Sequence, residues 1–270
     1  MQKNNLVVGI AVLGTVGKSV AKAIDAGIPG LTLGGVAARN KETATEWLSQ
    51  LSKPVPVLSY EELATTCDVV VECAPSALLD EIATPVLKAG KTMVVLSSGG
   101  LLTRSYLVEL AAQHGGRIQV PTGALLGLDA VCAAAEGHIN SVRMITRKPV
   151  RGLVGAPFLE ERKIDISGIE SPLQIFNGTA REAAVGFPAN LNVAVALSLA
   201  GVGPDETALE IWADPALTRN THTIVVESDS ARLQMTIENI PTENPKTGRI
   251  TAQSVIATLR KMGAPLCIGT

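Results

Sequence analysis

Over its first 120 residues the chain alternates short, wholly apolar runs with segments whose apolar residues recur at helical spacing. "LVVGIAVLG" (6–14), "LTLGGVAA" (31–38), "DVVVEC" (68–73) and "TMVVLS" (92–97) are apolar on both faces, as strands buried in a parallel sheet are. Between them, Lys18–Ala26 sets Val20 and Ile24 one turn apart and stops at Gly27. Residues 41–51 put Ala44, Trp47, Leu48 and Leu51 on one stripe. Ser59 with Glu62 predicts a capping box opening a further helix. Repeated units of this kind predict an α/β fold built on a doubly wound parallel sheet.

The pattern changes after about residue 120. Residues 173–176, 206–213, 222–228 and 231–239 read as strands without helices alternating between them. "ARLQMTIEN" is the clearest: Leu233, Met235 and Ile237 point one way and Gln234, Thr236 and Glu238 the other, so one face is wet or covered by a partner. "TAREAAVGF" and "NVAVALSLAG" read as helices, and "TAQSVIATLRKMG" as a helix capped by Thr251 and ended by Gly263. These signals predict two domains with a cleft between them. Residues 1–121 form the first, with helix 251–263 returning to it. Residues 122–250 form an α+β domain with an open sheet, largely antiparallel or mixed. No internal repeat is found.

With 46% hydrophobic but only 3% aromatic residues, the core is built from Ala, Val, Leu and Ile. A net charge of -2 without a long basic cluster argues against nucleic-acid and membrane partners. The four cysteines share no C-x-x-C spacing, which argues against a zinc site and reads as reduced, buried thiols. No metal site is expected. The first apolar run leads straight into a helical pattern rather than a cleavage site, and no run is long enough for a membrane span. The expectation is a soluble, cytoplasmic chain.

"VLGTVG" (12–17) lies between the first strand and first helix, where a dinucleotide fingerprint G-x-G-x-x-G belongs. Gly14 and Gly17 hold its second and third positions, for close approach of pyrophosphate and for helix-on-strand packing. Thr15 and Val16 complete the phosphate-binding turn. Val12 stands at the first position and implies a slightly different turn. The second strand ends in "AARN", with Arg39 where an acid would bind the ribose 2'-hydroxyl of NAD. Arg39 is either a partner for the 2'-phosphate of NADP or a solvated surface arginine.

Only three histidines occur. His114 ends a helix before Gly115 and Gly116, where a cation complements the dipole, and His138 begins a strand without charged company. His222 opens a strand on the face of Ile224 and Val226, with Asp214, Arg219 and Asn220 close by in sequence. Histidine suits proton transfer near neutrality. Arg219 and Lys246 could each hold a carboxylate or be surface charges.

"VPTGALLGLDAV" (120–131), "FNGTAREAAVGFPANLNVAVALSLAGVG" (176–203), "ADPALTRNTHTIVV" (213–226) and "ENIPTENPKTGRITAQSVIATLR" (238–260) resemble the L-aspartate dehydrogenase family, in order and over nearly the whole chain. The resemblance implies an N-terminal Rossmann domain and a C-terminal domain whose open sheet mediates homodimerisation. It implies NAD or NADP as cofactor and interconversion of L-aspartate with iminosuccinate, or oxaloacetate plus ammonia, a precursor supply for NAD synthesis. His222 corresponds to the family's catalytic histidine, and Ala124 and Asn190 to its cofactor contacts. With the resemblance, Arg219, Asn220 and Lys246 become the candidates for binding substrate. The chain departs from many relatives at Val12. "GTVGKSVAKAI" also resembles homoserine dehydrogenases, so two rivals stand beside this reading: a dehydrogenase of another small substrate such as homoserine, and a non-catalytic NADP(H)-binding sensor.

Overall fold

The structure, a computed structural model, describes residues 5–187, 191–242 and 248–270. The chain divides into two compact units, residues up to Pro121 with Ala252–Ile268, and Thr122–Thr251 with Gly269–Thr270.

The first unit alternates strand and helix as the apolar runs predict. Its elements are β1 (Leu6–Ala11), α1 (Thr15–Asp25), β2 (Leu31–Ala37), α2 (Lys41–Leu48), α3 (Tyr60–Thr66), β3 (Val69–Glu72), α4 (Leu79–Lys88), β4 (Thr92–Val95), α5 (Tyr106–His114) and β5 (Arg117–Gln119). The strands form one parallel sheet in the order β2-β1-β3-β4-β5. The order reverses between β1 and β3, and the carboxyl ends of strands at such a reversal are where open α/β sheets bind ligands. Both faces are covered: Val8, Ile10, Val36, Val71 and Val94 lie in one core cluster, and Ala11, Val70, Met93 and Val95 in the other. The predicted capping box forms, with Ser59 Oγ accepting from the Glu62 N–H at 3.1 Å and Glu62 Oε2 from the Ser59 N–H at 2.7 Å. Gly115, at φ 69, closes α5 after His114.

The second unit comprises α6 (Leu128–Ala135), β6 (Ile139–Lys148), α7 (Pro157–Glu161), β7 (Leu173–Thr179), α8 (Ala180–Gly186), α9 (Asn192–Ala200), β8 (Thr207–Ala213), β9 (Asn220–Ser228) and β10 (Arg232–Asn239), followed by α10 (Arg249–Gly263). Its sheet runs β10-β9-β6-β8-β7 and is mixed, because β6 pairs parallel to β8 and antiparallel to β9. Val142, Met144, Leu209, Ile211, Ile224 and Val226 fill one face. The chain's three phenylalanines meet in this unit: Phe158 stacks on Phe187 at 5.1 Å, and Phe176 meets both edge-on at 5.5 and 5.8 Å.

Two local expectations change. α10 begins at Arg249, so Thr251 lies inside the helix and its N–H bonds to the Gly248 carbonyl at 3.1 Å. From Ala252 onward the helix belongs to the first unit, with Val255 and Leu259 fully buried among Ile24, Ile28 and Leu31. β10 keeps the predicted alternation, with Gln234, Thr236 and Glu238 exposed on one side. Leu233, Met235 and Ile237 pair with Val226, Ile224 and His222, so they face the unit's own core, and Met235 lies against Gly127. Finally, Cys132 and Cys267 are exposed rather than buried.

Phe187 is fully buried. Phe187→Ala is expected to lower unfolding free energy by about 3–5 kcal/mol, measured by urea denaturation. A loss below about 1 kcal/mol would show that the aromatic cluster is not tightly packed.

Candidate active site

Two places carry chemistry, one in each unit. In the first unit, the turn from β1 into α1 is made at Val12. Val12 takes φ 77, the left-handed region that β-branched residues avoid, and its N–H bonds the Ala37 carbonyl at 2.8 Å. The strain of that conformation is carried at the first fingerprint position. α1 opens at Thr15, three residues earlier than the apolar period indicates, with Gly14 as N-cap and no side chain capping it. The first helical bond is Lys18 N–H to Gly14 carbonyl, leaving the Thr15, Val16 and Gly17 amides directed out of the helix end. A Cβ at Gly17 would run into the Val12 carbonyl, whereas one at Gly14 would meet nothing. Packing explains Gly17, and Gly14 leaves open space at the N-cap for close approach of a ligand. Small residues, free amides and a helix N-terminus fit a pyrophosphate. Arg39 is exposed just past β2, and Asn40 beside it caps α2 by accepting from the Thr43 N–H at 3.0 Å.

Glu72, which sequence reasoning missed, closes β3 at the same carboxyl edge. Fully buried, it accepts from the Ala74 N–H at 2.6 Å, the Leu96 and Ser97 N–H groups at 3.1 and 2.9 Å, and Ser97 Oγ at 2.8 Å. It ties the loops after β3 and β4 together. Burial pushes its carboxyl up, and these donors oppose the shift.

In the second unit, the covered sheet face turns polar at one end. Thr146 pairs with His222 across β6 and β9, and Thr146 Oγ1 lies 3.2 Å from His222 Nδ1. Lys148 follows two residues along β6, on the same face. Asn239 of β10 pairs with Asn220 of β9. His222 is 3% exposed and occupies the third position of β9 rather than opening it. Ordinary histidine titration near neutrality, the basis of the sequence argument, does not survive burial. Desolvation first, and the Lys148 charge second, lower its pKa to about 3. The imidazole is neutral at pH 7, with a lone pair to accept a proton.

Asp214 is engaged elsewhere. Its Oδ1 accepts from the Ala216 N–H at 3.0 Å, and Oδ2 lies 3.6 Å from Arg147 Nη1. Arg219 and Asn220 line a pocket with Arg151, Asn239, Pro149 and Gly248; His222 does not line it. Asn239 Nδ2 donates to the Ala124 carbonyl at 2.9 Å, which brings that predicted cofactor contact to the end of β10. Asn190 and Lys246 lie outside the described residues.

Residues 129–262 match the family described as aspartate dehydrogenase, C-terminal, and residues 13–121 the NAD binding domain of homoserine dehydrogenase. The chain is 59% identical to the L-aspartate dehydrogenase of Bradyrhizobium diazoefficiens, over 99% of this chain and 95% of that protein. It is 56% identical to L-aspartate dehydrogenase 3 of Bordetella bronchiseptica, over 99% of each. The chain belongs to the L-aspartate dehydrogenase family. Within that family of oxidoreductases, its N-terminal unit is the NAD(P)-binding domain. The crystal structure of aspartate dehydrogenase from Thermotoga maritima shares the fold, with a TM-score of 0.72 and 23% identity over 98% of this chain and 99% of that one. Among the described residues no helix is long and apolar enough to cross a membrane.

The buried imidazole has a stability consequence. Below pH 6.5 the unfolded chain takes up a proton at His222 that the folded chain refuses until about pH 3, so stability falls as pH drops through that window. Against His222→Gln, the wild type is expected to lose about 2 kcal/mol more between about pH 6.5 and 4.5, read by denaturant unfolding. Parallel pH curves for the two proteins would contradict a neutral buried imidazole.

Proposed function

We propose that the chain catalyses reversible NAD(P)-dependent oxidative deamination of L-aspartate to iminosuccinate, which water hydrolyses to oxaloacetate and ammonia. The observation that carries this reading is near full-length identity of 59% and 56% to two L-aspartate dehydrogenases. Iminosuccinate would supply NAD biosynthesis.

Gly14, Thr15, Val16 and Gly17 hold the pyrophosphate, Arg39 takes a 2'-phosphate when NADP is used, and Ala124 and Asn190 contact the rest of the cofactor. When bound, the nicotinamide would supply the hydride-transfer chemistry. His222, neutral at pH 7, accepts the proton that the substrate nitrogen must lose before oxidation, or removes one from water during imine hydrolysis. Thr146 Oγ1 fixes the ring through Nδ1, leaving Nε2 for the reaction. Arg219, Asn220 and Lys246 bind substrate.

The test is oxidation of NADPH or NADH by oxaloacetate with and without ammonium, followed by absorbance. Ammonium-dependent oxidation is expected, reduced about 100-fold or more in His222→Ala. No oxidation with either cofactor, or an unaffected variant, would contradict the reading.

The second unit leaves one sheet face uncovered, where half-buried Ile145, Trp212 and Val225 lie among Arg143, Glu210 and Glu227. We assign this face to a homodimer. Sedimentation should give a dimer for the wild type and a monomer for Val225→Arg; a wild-type monomer would contradict it.

A further inference from the structure

The sequence points to Arg219 for the substrate carboxylate, yet Arg219 is exposed and precedes the strand that carries His222. The face of His222 is different. Along β6 its inward positions are Val142, Met144, Thr146 and Lys148; along β9 they are Asn220, His222, Ile224 and Val226; along β10, Leu233, Met235, Ile237 and Asn239. Among the described residues, Lys148 is the one cation on these three strands' covered side. Extending the β6–β9 register by one position brings Lys148 opposite Asn220, which pairs with Asn239, so three polar side chains form a row beside His222.

Lys148 is 5% exposed. Lysine is rarely buried so deeply unless its ammonium is paired, because an ammonium loses several kcal/mol of hydration there. Asn239 is buried as well, at 4% exposed. Donation of its Nδ2 to the Ala124 carbonyl fixes the amide orientation, and Oδ1 is left buried without a partner. A cation and an unused acceptor on one row, with Asn220 between them, match a ligand that carries both a carboxylate and an N–H group. We propose that Lys148 binds a carboxylate of the substrate beside His222, with Asn239 Oδ1 facing the substrate nitrogen. Lys148 is then a substrate-binding residue with a second effect. Its charge adds to desolvation in keeping the imidazole neutral, and an arriving carboxylate offsets that smaller part, raising the proton affinity of His222 when substrate is bound.

This rests on the aspartate reading, so the probe is chosen to separate the two. Succinate has both carboxylates, lacks the nitrogen and does not react. Its affinity for the NADPH-bound chain is measured by calorimetry in wild type, Lys148→Met, Lys148→Gln and Lys148→Arg. The neutral variants should bind succinate about tenfold or more weakly, with NADPH affinity unchanged, and Lys148→Arg should recover most of the loss. The acid limb of the kcat/KM profile for L-aspartate should also move upward in Lys148→Met, which loss of packing alone would not produce. Succinate affinity within about twofold of wild type in both neutral variants would overturn the subsite. So would NADPH affinity falling in proportion, or a wild type that binds no succinate. A wild type that binds succinate through Lys148 but does not oxidise L-aspartate would overturn the reaction and leave the subsite standing.

Discussion

The antiparallel register of β6 and β9 decides where the chemistry of the second unit lies. Thr146 is opposite His222, and strand side chains alternate, so Lys148 and Asn220 join the same face. A slip of one residue would send all of them to the uncovered side and bring Arg147 and Thr221 inward. The apolar residues further along hold that register: Met144 opposite Ile224 and Val142 opposite Val226, all essentially fully buried. Burying those residues thus places an imidazole and an ammonium where neither is hydrated. Desolvation does the rest, making His222 a neutral acceptor instead of a group half-protonated near pH 6.5.

The first unit shows a comparable trade at Val12. A β-branched residue at φ 77 costs on the order of 1–3 kcal/mol, a strain that persists only where the surroundings impose it. They do so here through the Val12 N–H bond to Ala37 and the tight fit of Gly17 beneath the Val12 carbonyl. The turn that aims three helix amides outward is set by packing on both sides of position 12.

Much of this was legible in the sequence, and the exceptions have physical reasons. Wholly apolar runs identify β1, β3 and β4 because both faces of a parallel sheet are covered, and the Ser59–Glu62 box marks α3 because capping is local. His222 stands out by its strand and its neighbours. Lys148 and Asn239 do not, because a lysine ending "MITRK" looks like an ordinary strand terminus until its partner strand is known. Glu72 is hidden for a similar reason: its donors at Leu96 and Ser97 lie 24 and 25 residues away.

The central claim is that burial holds His222 neutral at the polar end of this sheet face. Its most direct test is nitrogen-15 NMR of the imidazole ring from about pH 8 to about pH 5, with His222→Gln identifying the signals. The account predicts a fixed neutral tautomer with no titration across that range. A sigmoidal shift centred near the ordinary histidine value would contradict it, and with it the assignment of His222 as a neutral proton acceptor.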